Sequence, residues 1–141
     1  MFVLTLTLMM AATLTQDLAA VKAEPLLEKR AQKAIDFAGV RLTEARAAND
    51  KGEFKVLGSA VDEVTAGAEL CLETLEAMGK HPSKNVKNYK LSEKRMRELL
   101  RRVETLRADV SLEDRPLVEK AEKRINSIHE KLLEGALSKK P

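Results

Sequence analysis

The chain has 141 residues, of which 44% are apolar, 33% charged and 3% aromatic, and its formal net charge is +3. This length suits one domain, and the composition excludes disorder and argues against a β fold, because Lys, Glu, Leu and Ala dominate. With no Trp, one Tyr and one Cys, aromatic sugar platforms, disulfide frameworks and thiolate metal cages are excluded too.

Residues 2–14 form an uncharged apolar run. It is shorter than the roughly 20 residues that cross a bilayer and matches the apolar part of a secretory signal. Val21-Lys22-Ala23 then offers small residues at the two positions a signal peptidase reads, and Glu24-Pro25 follows. No Lys or Arg precedes the run, so a basic leading region is lacking; an apolar helix packed on the rest of the chain, or an uncleaved anchor, are the alternatives. No Cys follows to carry a lipid. The expectation is a signal peptide over 1–23 and a single helical-bundle domain over 24–141, periplasmic or secreted, with no transmembrane segment in the mature part.

Four helices follow from apolar residues spaced by three and four. The first is Ala-rich, with Leu27, Ala31, Ala34, Ile35, Ala38, Leu42 and Ala45. Asn49-Asp50-Lys51-Gly52 ends it, with Gly52 in a left-handed conformation. Phe54 opens the second, whose stripe is Leu57, Val61, Val64, Ala68, Cys71, Leu75 and Met78. Gly79 ends that helix and Pro82 prevents its early resumption. The third carries Met96, Leu99, Val103, Leu106 and Val110, with Ser83 or Asn88 as its cap. The fourth has Ser111 or Asp114 as cap and Pro116 in its first turn. Its stripe is Val118, Ala121, Ile125, Ile128 and Leu132, widened by Leu117, Leu133 and Leu137; Gly135 interrupts its last turn and Lys139-Lys140 suit its C-terminus. The short links at 49–53 and 109–114 force antiparallel neighbours, and the link at 79–88 permits one. The fold expected is an all-α, antiparallel up-down-up-down four-helix bundle, the alternative being a three-helix bundle with a loosely packed first helix.

Charge is concentrated in the third helix. From Lys80 to Arg102 nine cations face two glutamates, a net of +7; the whole chain carries +3, which leaves −4 for the rest. Lys90/Arg97, Lys94/Arg101 and Arg95/Arg102 are each seven apart and predict adjacent rows on an outer face. Lys84, Lys87, Lys90 and Lys94 crowd the helix N-terminus, where the macrodipole disfavours cations. The eight residues Lys84, Lys87, Lys90, Lys94, Arg95, Arg97, Arg101 and Arg102 are therefore the candidate contact surface for an anionic macromolecule: lipid headgroups, an acidic glycan or an acidic protein. The plain alternative is a solvated face that serves solubility or pairs with Asp62, Glu69, Glu73 and Glu76 on the second helix. Nucleic acid is disfavoured by export, and only Tyr89 offers a stacking surface near the basic rows.

Enzyme and cofactor chemistry find no support. His81 lies in a turn, His129 lies beyond the fourth stripe, and neither belongs to a Glu-x-x-His pair. Cys71 has the place of a buried thiol in the second stripe and no haem-attachment context. The remaining carboxylates fall beside Lys or Arg on outward faces, and there is no Gly-rich phosphate loop, nucleophile elbow or metal cluster. No cofactor and no metal is expected.

The stretch Ala45–Val61, with Asp50-Lys51-Gly52-Glu53-Phe54 at its turn, resembles the helical hairpin of tetratricopeptide repeats, but no second copy follows about 34 residues later. Asn88-Tyr89-Lys90, Arg97-Glu98-Leu99-Leu100-Arg101-Arg102 and Asp114-Arg115-Pro116 are similar to a group of short exported bacterial helical proteins with no assigned activity, a resemblance that implies no chemistry. The function expected is non-enzymatic protein binding through the basic face. A structural subunit that homo-oligomerises through coiled-coil-like apolar stripes, or a periplasmic chaperone-like protein, are the other readings.

Overall fold

The computed structural model describes residues 17–138; the apolar run 2–14 and Lys139-Lys140 lie outside the described residues. Among the described residues the chain is all-helical: α1 (Leu18–Lys22), α2 (Leu27–Lys51), α3 (Phe54–Ala77), a 3-10 turn (Pro82–Lys84), α4 (Val86–Asp109) and α5 (Arg115–Ala136). The four long helices, α2 to α5, correspond to the four that the apolar spacing predicts, and they pack together around one core.

Turn chemistry sets the first corner. Gly52 has φ 71°, and the amides of Gly52 and Glu53 bond back to Asn49 O and Ala48 O, which closes α2 in a left-handed cap that a Cβ would strain. The other expected caps differ. Asn85, neither Ser83 nor Asn88, precedes α4 and makes no side-chain capping bond, while Asn88 donates to Asn85 Oδ1 at 2.6 Å. Ser83 is drawn into the turn instead, its amide donating to His81 Nδ1. Asp114 stands at the cap position of α5 without capping it, and accepts from the Ser111 hydroxyl at 3.0 Å.

The helices pair in a definite order. α2 packs on α3, α4 on α5, α3 on α5 and α2 on α4, whereas α3 and α4, joined by the long link, barely touch. Directions follow from the bonds between elements. Arg41 of α2 meets Glu63 of α3, and Arg107 of α4 meets Glu122 of α5, in antiparallel register. Asn88, Arg95 and Arg102 of α4 reach Glu28, Gln32 and Thr43 of α2 in parallel. The chain thus forms two antiparallel hairpins laid side by side, with α3 and α4 at opposite corners.

The reading with a loosely packed first helix is corrected. Ala31, Ala34, Ile35, Phe37, Ala38, Leu42, Ala45 and Ala48 of α2 are all buried. The small size of the alanines is the reason: a Cβ on Gly67 of α3 would lie 2.9 Å from Ala34 O, so the two helix backbones approach closely. Two smaller corrections concern α5. Gly135 is inside the helix, and a Cβ there would lie 2.2 Å from the Tyr89 ring, so the glycine admits that ring against the helix backbone. Leu133 and Leu137 do not widen the stripe but are exposed, because each sits about 100° around the helix from a buried neighbour.

Upstream of α2, Asp17 accepts from Ala20 N at 2.8 Å and caps α1, which inserts Val21 into the core. Glu24 holds the next corner: its carboxylate meets Lys33 Nζ at 2.5 Å, which lowers its pKa, and its carbonyl accepts from Arg30 Nε. Val21 and Glu24 flank the expected cleavage position after residue 23, so the structure uses residues on both sides of it. No helix among the described residues is long and apolar enough to cross a membrane.

Candidate functional site: the cationic face of α4

Met96, Leu99, Val103 and Leu106 turn α4 towards the core, with Tyr89, Ser92 and Leu100 also buried. At about 100° per residue, Lys87, Lys90, Lys94, Arg97 and Arg101 fall within a sector of roughly 80° on the far side of the helix. All five are exposed, and they step along the helix by three and four over about 21 Å. Arg97 leans back towards Glu93 at 3.7 Å; Lys87, Lys90, Lys94 and Arg101 form no ion pair with the described residues. Lys84 is exposed in the 3-10 turn and extends this row beyond the helix start.

Arg95 and Arg102 do not belong to that row, which corrects the expected outer pairing. One residue further round, they turn into the seam with α2. Arg95 donates to Gln32 Oε1 at 2.8 Å and forms an ion pair with Asp36. Arg102 donates to Thr43 Oγ1 at 2.9 Å and to Gly39 O at 3.2 Å. The spacing of seven identified each row but could not say which row meets a neighbouring helix. Of the eight candidate residues, six face solvent and two lock α4 to α2.

Tyr89 is likewise corrected: it is buried against Gly135, so it offers no stacking platform beside the lysines. Burial, together with the Glu76 carboxylate, raises its pKa. On the opposite flank of α4, His129 Nε2 meets Glu93 Oε1 at 3.0 Å, which fastens α5 to α4.

Cys71 is fully buried at the seam of α2, α3 and α4, and desolvation pushes its thiol up to about 12, only partly opposed by its bond with Ser92 and the charge of Arg95. Ser92 accepts from Gln32 Nε2 at 3.2 Å, so a polar path leads from the thiol through Ser92 and Gln32 to Arg95 at the surface. Sequence spacing missed this path, since Gln32 and Ser92 are 60 positions apart. A thiol held in its neutral form is a poor nucleophile.

The acidic residues of α3 form the counterpart of the cationic row. Asp62, Glu73 and Glu76 are exposed, and Glu69, half-buried, meets Arg124 of α5 at 2.9 Å. Because α3 and α4 occupy opposite corners, with α2 and α5 between them, these carboxylates form no ion pair with the cationic row of α4. Comparison with protein-family models, with curated proteins and with solved structures finds no match to this chain.

Proposed function

We propose that this chain is a non-enzymatic, exported protein, periplasmic or secreted after loss of its N-terminal segment, which works by binding an anionic macromolecule along α4. In this reading its four helices form an antiparallel up-down-up-down bundle whose role is to hold one cationic edge straight. The observation that carries the reading is the row Lys87, Lys90, Lys94, Arg97 and Arg101, exposed on one side of a helix whose other sides are committed to the core, α2 and α5. A surface required only for solubility works best with both signs interspersed; this row sets five cations along about four turns, with the exposed Glu98 and Glu104 at its two edges. Cations at a helix start also oppose the macrodipole, so stability does not explain Lys84 and Lys87.

The apolar-stripe reading of self-assembly loses its surface, because the residues of the α3 and α5 stripes from Leu57 to Leu75 and from Val118 to Leu132 are buried in the chain's own core. Lipid insertion has little to draw on either, since the apolar face of α4 points inward and leaves Leu91 exposed.

Retention on an immobilised sulfated polysaccharide tests the reading. Wild-type chain is expected to bind at low salt and elute as salt rises, with a slope set by the number of cations engaged. Replacing Lys87, Lys94 and Arg101 by Gln shifts elution to clearly lower salt, whereas Lys120→Gln and Lys123→Gln on α5 leave it nearly unchanged. Equal retention of the α4 variant and the wild type would remove the proposal.

A further inference from the structure

The acidic row of α3 and the cationic row of α4 have the same spacing in opposite directions. Backwards along α3 from Glu76, carboxylates follow at steps of three, four and seven: Glu73, Glu69 and Asp62. Forwards along α4 from Lys87, cations follow at the same steps: Lys90, Lys94 and Arg101. Two antiparallel helices rise equally per residue, so setting Glu76 beside Lys87 brings all four opposite charges level at once, over about 21 Å. Glu69 is then shared with Arg124 of its own chain, and the other three carboxylates are unpaired among the described residues of theirs. Within the two helices that register places Lys55 against Ala108, Glu63 against Leu100, Glu98 against Thr65 and Glu104 against Ser59, so no like charges stand level.

The match cannot be satisfied within one chain, because the two rows lie on opposite sides of the molecule. We propose that the acidic row of α3 docks, antiparallel, on the cationic row of α4 in a second copy of this chain. The inference rests on α4 being a contact surface and supplies its occupant. Since the two rows lie on opposite sides of each copy, a docked pair keeps one free row of each sign, and association runs head to tail into chains or a ring, not into a closed pair. Exposed ion pairs are individually weak and are screened by salt, so the assembly is salt-sensitive.

Sedimentation velocity on the full chain, at increasing protein concentration, tests this. The expected result is a sedimentation coefficient that grows with concentration at roughly 20 mM salt and returns to the monomer value at about 0.5 M, where the Debye length falls to a few ångströms. Two charge-reversed variants sharpen it: Lys87→Glu/Lys90→Glu/Lys94→Glu, and Asp62→Lys/Glu73→Lys/Glu76→Lys. Circular dichroism checks that each remains folded. Each alone is expected to stay monomeric at low salt, while an equimolar mixture associates, because each then supplies the sign the other lacks. A wild type that stays monomeric at low salt overturns the inference, as does association that survives in either variant alone. If the wild type is monomeric yet still binds the polysaccharide through α4, self-docking fails and the cationic contact surface stands.

Discussion

The two hairpins of this chain are closed by opposite means. In α2–α3 the buried residues of one helix are mostly alanines, and Gly67 of the other lies so close that a Cβ would reach Ala34 O, Ala38 and Phe37 at 2.9 to 3.0 Å. In α4–α5 the buried faces are built from Met96, Leu99, Val103, Ile125, Ile128 and Leu132. The edges differ as well. A guanidinium is buried at the first: Arg41 bonds Glu44 and Glu63 and lies 5.0 Å from the Phe37 ring centroid, so the charge is paired and its stem covers apolar surface. The second is flanked by Arg107, a more exposed guanidinium that meets Glu122, and by His129, which meets Glu93. The first hairpin should therefore resist added atoms and the second removed ones.

The largest effect is expected from hollowing the second hairpin. Ile128 is fully buried, and Ile128→Ala should cost about 2–5 kcal/mol, the sum of lost transfer energy and the cavity left behind. Denaturant titration with an unchanged slope would measure it, and a loss below about 1 kcal/mol would break the contrast. Crowding the first hairpin comes next. Gly67→Ala gains up to about 1 kcal/mol of helix propensity, yet its Cβ meets a backbone carbonyl that cannot swing away, and a net loss of about 1–2 kcal/mol is expected. A gain in melting temperature would show that the helices separate at little cost.

The seam between the hairpins gives a pH-dependent prediction. Cys71 keeps its proton in the folded chain up to about 12, whereas the unfolded thiol loses it near 9.0. The folded state thus holds the proton more tightly, so the stabilisation is complete below pH 9 and declines above it, by up to about 1.4 kcal/mol per pH unit. Comparing wild type with Cys71→Ala between pH 8 and 10.5 isolates this contribution from that of Tyr89; parallel curves would refute it. The smallest effect is the converse of the Gly67 prediction. At Gly58 a Cβ would touch Leu117 at an ordinary 3.6 Å, so Gly58→Ala should stabilise by about 0.5–1 kcal/mol. Destabilisation there would mean that α3 and α5 approach as tightly as α3 and α2.

Much of this was legible before any coordinates. Spacing by three and four located all four long helices, and their stripes are buried from Ala31 to Leu42 in α2, from Leu57 to Leu75 in α3, from Met96 to Leu106 in α4 and from Val118 to Leu132 in α5. Gly52 and Gly79, both at positive φ, were read correctly as helix stops. These features were readable because they are local: periodicity and turn conformation depend on residues a few positions apart. The allocation of the cations was only half readable. Lys94 and Arg95 are adjacent in sequence and equally basic, but about 100° of helix rotation sends one to water and the other to Asp36.

From composition and periodicity alone, this chain had to be helical, with four amphipathic rods and one of them strongly cationic on its polar side. The order of the rods around the core came only with the tertiary structure, which put α3 and α4 at opposite corners although they follow one another in the chain. The physical reason is that a stripe states how much surface a helix must bury but not against which neighbour. That choice depended on where small residues let backbones come close, as at Gly67, and on which side chains could be satisfied together, as Gln32, Ser92 and Arg95 are.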